Sequence, residues 1–223
     1  MKTSLVLLAA LFVSSTQAET VGRAELQITE PWVALTSYST NLNFDNGQQV
    51  IPMQSKAFYV PGPNGVPKAL LVVTSTESRF GGKVRWVSEI CPEPRPKYFA
   101  KDYGSNKQTR VRECLIVNSA FAPFAFFKPE SEVIKAVDEK NLKPFKSGYS
   151  FRSVYGMEGG ALLRVNLMTT KAVRGAQAVP AEEHLHEVAP ELIAWGEALH
   201  AAVRKSVSSL SGELTLPATA LPE

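Results

Sequence analysis

The segment Ala69-Leu70-Leu71-Val72-Val73-Thr74 decides the fold of this 223-residue chain. It is a short run of aliphatic and β-branched residues, which is typical of a strand in the centre of a sheet. Further along the chain, Tyr149–Tyr155 and Ala161–Thr169 enclose a glycine-rich segment between residues 156 and 160. Glycine readily adopts the positive φ angles of tight turns, so this pattern predicts a β-hairpin.

Four other segments have the composition or the alternation of strands. Trp32–Tyr38 and Ala57–Val60 precede the central strand, and the turn signal Asp45-Asn46-Gly47 lies between them. Val84–Ile90 and Val111–Val117 follow it, with apolar residues recurring at alternate positions. The middle of the chain is therefore predicted to be β-structure.

Two helices are predicted. Pro129–Leu142 begins with acidic residues and ends with lysines, as helix termini prefer. Ala181–Ser208 carries one apolar stripe at three- and four-residue spacing. Pro190 lies within that stretch, where it either kinks one helix or begins a second helix near Ala189. The break is the interpretation we prefer.

Together these elements predict a single α+β domain over residues 19–210. We expect a mostly antiparallel β-sheet with a short mid-chain helix and a longer C-terminal helical segment packed on it. From Ser211 onward the residues are small or polar and include prolines. Residues 211–223 are accordingly predicted to be a flexible tail.

The first eighteen residues have the layout of a secretory signal peptide. Lys2 is followed by an apolar run, Leu5–Val13, and by the small residues of Thr16-Gln17-Ala18. The apolar run is too short to span a bilayer, and we expect no transmembrane segment in the mature chain, which would begin near Glu19. This organisation predicts a protein of the periplasm or the extracellular medium.

Cys91 and Cys114 are the two cysteines of the chain. In an exported protein an even pair predicts a disulfide, a pair of buried thiols being the alternative. The segment between them contains Pro92, Pro94 and Pro96, which favour an extended loop over a strand. The predicted disulfide therefore closes the base of a long loop.

A basic region lies around this loop. Residues 79–112 hold nine basic and three acidic side chains, although the whole chain has a formal charge of only +3. The near-neutral total argues against a nucleic-acid binder. The local charge favours an anionic partner, such as a polysaccharide, a lipid headgroup or an acidic protein. The alternative is a solvated surface whose lysines protect a sheet edge. The predicted partner-binding residues are Arg95, Lys97, Tyr98, Lys101, Tyr103 and Lys107.

No arrangement typical of a metal or cofactor site stands out in the sequence. His184 and His186 are two residues apart, and such positions on a helix face different directions. An extended segment would bring them to one face, where neighbouring glutamates could complete a zinc or copper site. We expect surface histidines, with no metal and no cofactor.

Catalytic motifs are equally weak. No Gly-x-Ser-x-Gly motif is present, and the few histidines show no pattern typical of a triad. Glu89 and Glu113 lie on the two strands that the disulfide links, but we expect their carboxylates to face solvent. The aromatic run Phe121–Phe127 is expected to fill the junction between sheet and helix, with a ligand pocket or an exposed patch as the alternative.

These observations favour an exported, disulfide-linked, non-catalytic binding or interaction module of the cell envelope. One alternative is a hydrolase of envelope or extracellular polymers with unrecognised carboxylates. The other is a structural or chaperone-like envelope protein whose C-terminal apolar stripe pairs with another helix.

Overall fold

The computed structural model describes residues 17–28, 32–44, 49–77, 91, 98–103, 112–121, 131–143, 148–157, 161–170 and 188–217. These residues form strands and two helices whose order and bounds are as follows: β1 (Gln17–Val21), β2 (Ala24–Ile28), β3 (Val33–Phe44), β4 (Gln49–Val60), β5 (Ala69–Thr76), β6 (Tyr98–Asp102), β7 (Arg112–Phe121), α1 (Glu132–Glu139), β8 (Gly148–Gly156), β9 (Leu162–Thr170), α2 (Pro190–Ser208) and β10 (Glu213–Thr215).

The larger of two sheets has seven strands in the order β3-β4-β5-β9-β8-β7-β6, and all neighbours in it are antiparallel. The smaller sheet has the order β1-β2-β10, with β1 antiparallel and β10 parallel to β2. The predicted α+β class, a mostly antiparallel sheet with a short mid-chain helix and a longer C-terminal one, is confirmed.

Strand β5 is the predicted central strand. It is paired on both sides, by β4 and by β9, and most of its side chains are buried. The predicted hairpin is formed by β8 and β9, and it closes with a hydrogen bond from Met157 N to Ala161 O of 2.7 Å. The segment Val84–Ile90 and the turn at residues 45–47 lie outside the described residues.

The two faces of the seven-stranded sheet are covered differently. On one face, which we call the core face, α2 and the three-stranded sheet enclose the main hydrophobic core, with Leu26, Leu71, Leu199 and Leu214 at its centre. On the opposite face, α1 packs over β3, β4, β5 and β9. We call this second side the α1 face.

Helix α1 begins later than predicted because Ser131 is its N-cap residue. Its side chain accepts a hydrogen bond from Ile134 N at 3.3 Å, which satisfies one of the unpaired donors of the first turn. Pro190 occupies the first turn of α2, where its missing N–H is harmless, so the preferred break before this helix is confirmed. Residues 181–187 lie outside the described residues.

The apolar stripe of α2 packs on this chain's own sheet. Gly196 allows the close approach, because a Cβ at that position would lie 2.7 Å from Val117 Cγ2 on β7. The side chains of Leu192, Leu199 and Val203 enter the main core. The stripe is thus used within the chain.

The C-terminal segment differs from the flexible tail predicted from Ser211. Strand β10 pairs with β2, and Leu214 is 0% exposed within the main core. Ser206 Oγ also donates to Gly212 O at 2.6 Å, which ties the end of α2 to the turn before β10. Burial of one leucine and pairing with a distant strand outweigh the loop-like local composition.

At the other end, Gln17 and Ala18 belong to β1 and pair with Ile28 and Gln27. They are the last two residues of the predicted signal peptide, whose residues 1–16 lie outside the described residues. No helix in the described ranges is both long and apolar enough to cross a membrane.

The predicted disulfide is present between Cys91 and Cys114, whose Cα atoms are 5.5 Å apart. Both cysteines are buried in a small cluster with Ala100, against which Tyr98 and Ile116 pack. This cross-link fixes residue 91 against β7 on the α1 face of the sheet.

Candidate functional site

The predicted partner-binding residues do not share one surface. Side chains alternate across β6, so Tyr98 lies on the α1 face beside the disulfide. Lys101 and Tyr103 lie on the core face, where Tyr103 packs against the main core. The other three, Arg95, Lys97 and Lys107, lie outside the described residues.

Lys101 and Tyr103 are engaged with helix α2. Lys101 Nζ lies 2.7 Å from Glu197 Oε1 and 4.6 Å from the centre of the Tyr103 ring. The Tyr103 hydroxyl donates to the same carboxylate oxygen at 3.4 Å. The hydrogen bond that Lys101 Nζ donates to the Glu197 carboxylate lowers the pKa of Glu197 and raises the pKa of Lys101. These contacts join the edge strand β6 to α2.

A buried polar chain lies beneath α2 and joins it to β7 and β8. Ser153 Oγ is 2.8 Å from His200 Nδ1, and His200 Nε2 is 3.2 Å from Glu113 Oε1. The three residues are 0%, 3% and 5% exposed, respectively. The expectation that Glu113 faces solvent is wrong, because this residue shares the core-facing side of β7 with Leu115.

The protonation of His200 follows from its surroundings. Burial lowers its pKa, and the hydrogen bond to Glu113 opposes this effect only in part. A neutral imidazole beside a carboxylate places its hydrogen on Nε2, so Nδ1 accepts from the Ser153 hydroxyl. Arg204 Nη1 lies 3.6 Å from the same Glu113 oxygen, and the Tyr103 ring stacks on the imidazole at 4.4 Å.

The hydrogen-bonded series Ser153–His200–Glu113 has the serine–histidine–acid order of serine hydrolases, but the two imidazole nitrogens are exchanged, with the serine on Nδ1 and the acid on Nε2, and the serine is enclosed. Ser153 lies in the middle of β8, with Leu115 and Val165 opposite it on the neighbouring strands. Both neighbours are fully buried, and α2 covers them. A substrate carbonyl cannot reach Oγ unless α2 moves away. In this conformation the chain of hydrogen bonds holds α2 against the sheet.

Sequence reasoning did not identify this buried chain. The one available indication is that Glu113, Leu115 and Val117 are at alternate positions of β7, so their side chains leave the same face of the sheet. His200 follows Leu199 on α2 and precedes Val203 by one turn, so a helical projection places it at the margin of the apolar stripe. Its contacts with β7 and β8 depend on tertiary packing.

The second candidate is a groove on the α1 face, across strands β6 to β9. We call it the open-face groove; it has a volume of about 400 Å³, including space open to solvent. Its lining combines an aromatic ring, apolar side chains and several polar groups: Tyr98, Ile116, Asn118, Ser150, Phe151, Arg152, Asn166, Leu167 and Met168. Of the predicted partner-binding residues, Tyr98 contributes to it.

Arg152 is the charged group of the open-face groove. It lies directly opposite Asn166 in the β8–β9 ladder, and its Nε donates to Asn166 Oδ1 at 2.9 Å. Arg164 lies two residues before Asn166 on β9, so its side chain leaves the same face of the sheet, and it is also half-buried. Two guanidinium groups therefore lie on neighbouring strands of this face.

Neither candidate has the ligands of a metal centre. In the part of the chain that the structure describes, no group of three or more His, Cys, Asp or Glu side chains is placed to hold a metal ion. His184 and His186, and all of the aromatic run except the backbone of Phe121, fall outside that part. No protein-family model matches the chain, and no curated protein or solved structure shows significant similarity to it.

Proposed function

We propose that this protein is an exported, non-catalytic binding module that holds an anionic ligand in the open-face groove. The observation that carries the proposal is the half-buried Arg152, oriented by Asn166 among aromatic, amide and hydroxyl side chains. A guanidinium held in one orientation can present two parallel N–H groups to a carboxylate or a phosphate.

The composition of the groove supports a ligand of small cross-section. Binding sites for small molecules generally combine an apolar floor with a few placed polar groups. Ile116 and Met168 supply apolar surface here, and Asn118, Ser150 and Asn166 supply hydrogen-bonding groups. A small anion or one segment of an acidic polymer matches these properties.

The proposed location rests on different observations. Disulfides persist in oxidising compartments, and Cys91–Cys114 is formed in the structure. The N-terminal sequence has the layout of a signal peptide. We therefore place the binding module in the periplasm or the extracellular medium.

Native mass spectrometry of protein purified without ligand stripping would test the proposal. We expect a bound mass that carries acidic groups, and titration with inorganic phosphate or with an acidic oligosaccharide should show saturable binding. Arg152→Gln should weaken that binding at least about tenfold, corresponding to one lost charge-assisted contact.

Arg23→Gln is the matched control, because it removes the same charge from an exposed turn between β1 and β2. If Arg152→Gln and Arg23→Gln bind the anionic probes equally well, the open-face groove is not the site. If neither a bound mass nor binding of any anionic probe is observed, the ligand class is wrong.

A hydrolase is the second candidate function, and the hydrogen-bonded order Ser153–His200–Glu113 favours it. Such an enzyme would require α2 to open so that Ser153 Oγ becomes accessible. A fluorophosphonate probe distinguishes the two functions: labelling that is lost in Ser153→Ala supports the hydrolase, whereas an unlabelled protein supports the binding module.

A further inference from the structure

Strand β3 forms one edge of the seven-stranded sheet. It runs over 12 residues, Val33–Phe44, and β4 is its neighbour on one side. Within the described ranges no strand pairs with its other side. An edge strand of this length presents a row of backbone N–H and C=O groups that can pair with another chain.

The sequence of β3 does not protect this edge. Val33–Phe44 contains no charged residue, no proline and no glycine. A bulge between Ala34 and Thr36 distorts the start of the strand, but the pairing is regular from Thr36 to Phe44. Ser37, Ser39 and other side chains of this regular part are exposed. Natural sheets generally protect such an edge with charges, prolines or bulges along its length.

The opposite edge of the same sheet shows the contrast. Strand β6 has only 5 residues, two of which, Lys101 and Asp102, are charged. Lys101 is further held by its ion pair with Glu197. A short, charged edge strand resists pairing, so among the described strands one edge of the sheet is protected and the β3 edge is not.

Exposed apolar side chains accompany the unprotected edge. Val33, at the start of β3, is 39% exposed, and Val50, on β4 near the other end of the ladder, is 48% exposed. Val50 lies opposite Asn43 in the β3–β4 ladder, next to the regular part of the edge. A strand paired with the whole of β3 would reduce the exposure of Val33.

We propose that β3 is the contact surface of a homodimer, in which the β3 strands of two copies pair antiparallel and extend the sheet across both. In a two-fold arrangement each residue near the axis meets its own counterpart, so a charged strand would bring like charges together. Because β3 contains no charged residue, no register of the strand pair would bring like charges together. A site for a foreign charged segment would instead carry complementary charges.

The regular part of β3 spans roughly 30 Å at the rise of a β-strand. A single strand pair of that length gives a small interface, which is typical of weak or transient association. We therefore expect a dissociation constant in the micromolar range, and association must be measured over about 1–300 µM.

Sedimentation velocity on the full chain, recovered from an oxidising compartment, provides the test. The unmodified protein should show a concentration-dependent shift from monomer to dimer. We place the two-fold axis at the middle of the regular part of β3, near Thr40. Ser39→Lys and Ser39→Glu should then each weaken dimerisation at least about tenfold, because like charges lie close to each other across the pair. An equimolar mixture of the two variants should restore the dimer.

Ala201→Lys is the matched control, because it adds the same charge at an exposed position of α2. The mixing experiment keeps the test valid if one variant is less stable, since unfolded chains would not recover a dimer on mixing. A monomer over the whole concentration range overturns the proposal. So does a dimer that persists in both Ser39 variants, or one that Ala201→Lys disrupts equally.

Discussion

Replacing His200 with alanine should destabilise the protein substantially, because two buried groups lose their partner at once. Ser153 Oγ would lose the acceptor 2.8 Å away, and Glu113 would lose the donor 3.2 Å from its carboxylate. An unsatisfied buried hydroxyl costs about 1–3 kcal/mol. A buried carboxylate that loses its hydrogen-bond donor is left as an uncompensated buried charge, which costs about 3–5 kcal/mol.

Two features reduce the total free-energy cost of losing these two contacts. Arg204 still lies 3.6 Å from Glu113, and the space left by the imidazole can admit water. We therefore expect His200→Ala to lower the free energy of unfolding by about 3–5 kcal/mol, which for a domain of this size lowers Tm by roughly 10 °C.

Urea unfolding followed by circular dichroism measures this loss directly. Lys205→Ala, at an exposed position of the same helix, is the control and should change the free energy of unfolding by less than about 0.5 kcal/mol. Ser153→Ala should cost less in the His200→Ala background than in the unmodified protein, because the two residues form one chain. A loss below about 1 kcal/mol for His200→Ala, or strict additivity with Ser153→Ala, would refute the reasoning.

Three further predictions concern other parts of the same fold. Burial lowers the pKa of His200 in the folded protein, so the unfolded chain binds this proton at a higher pH. The stability contributed by neutral His200 is therefore complete above about pH 6.5, and it declines as the pH falls towards the folded pKa. Urea titrations between pH 7.5 and about 5 should show this decline, and His200→Gln should remove it. Leu214→Ala should lower the free energy of unfolding by about 2–5 kcal/mol if β10 is packed as described, whereas a flexible tail would leave it unchanged. Reducing Cys91–Cys114 should lower it by about 3 kcal/mol, and the Cys91→Ser/Cys114→Ser double variant should show the same loss with no further effect of reductant.

The parts of the fold that the sequence predicts are those encoded by neighbouring residues. The run Ala69–Thr74, the glycine-rich turn between β8 and β9, and Pro190 at the start of α2 each carry a local signal. At these places the local conformational preference of the residues agrees with their position in the folded protein, so the sequence pattern predicts the observed element.

The small sheet was not predicted, because its pairing depends on contacts between distant parts of the chain. Strand β10 is three residues long and pairs with β2, which lies near the opposite end of the chain. Local composition around Gly212 favours a loop, and only the burial of Leu214 makes a strand favourable there. For the same reason, the sequence does not reveal that residues 213–215 of the predicted tail form a strand.

The candidate site was predicted in part. Tyr98 was identified from the basic, aromatic region and does lie in the open-face groove. Arg152 has no distinguishing signal in the sequence, because its orientation depends on Asn166, which only strand register brings opposite it. Lys101 and Tyr103 were assigned to the same surface as Tyr98, whereas alternation along β6 places them on the other side of the sheet.

The position of Ser153 links the two candidate sites through one strand. Ser153 and Arg152 are neighbours on β8, and their side chains leave opposite faces of the sheet. The hydrogen bond to His200 fixes β8 against α2, and that restraint also limits the movement of the Arg152 backbone. A buried polar chain that adds little net stability over apolar packing can still define the position of a strand. On this argument, the core-face hydrogen bonds keep Arg152 oriented in the open-face groove, and Ser153→Ala should weaken the proposed anion binding without changing any residue that lines the groove.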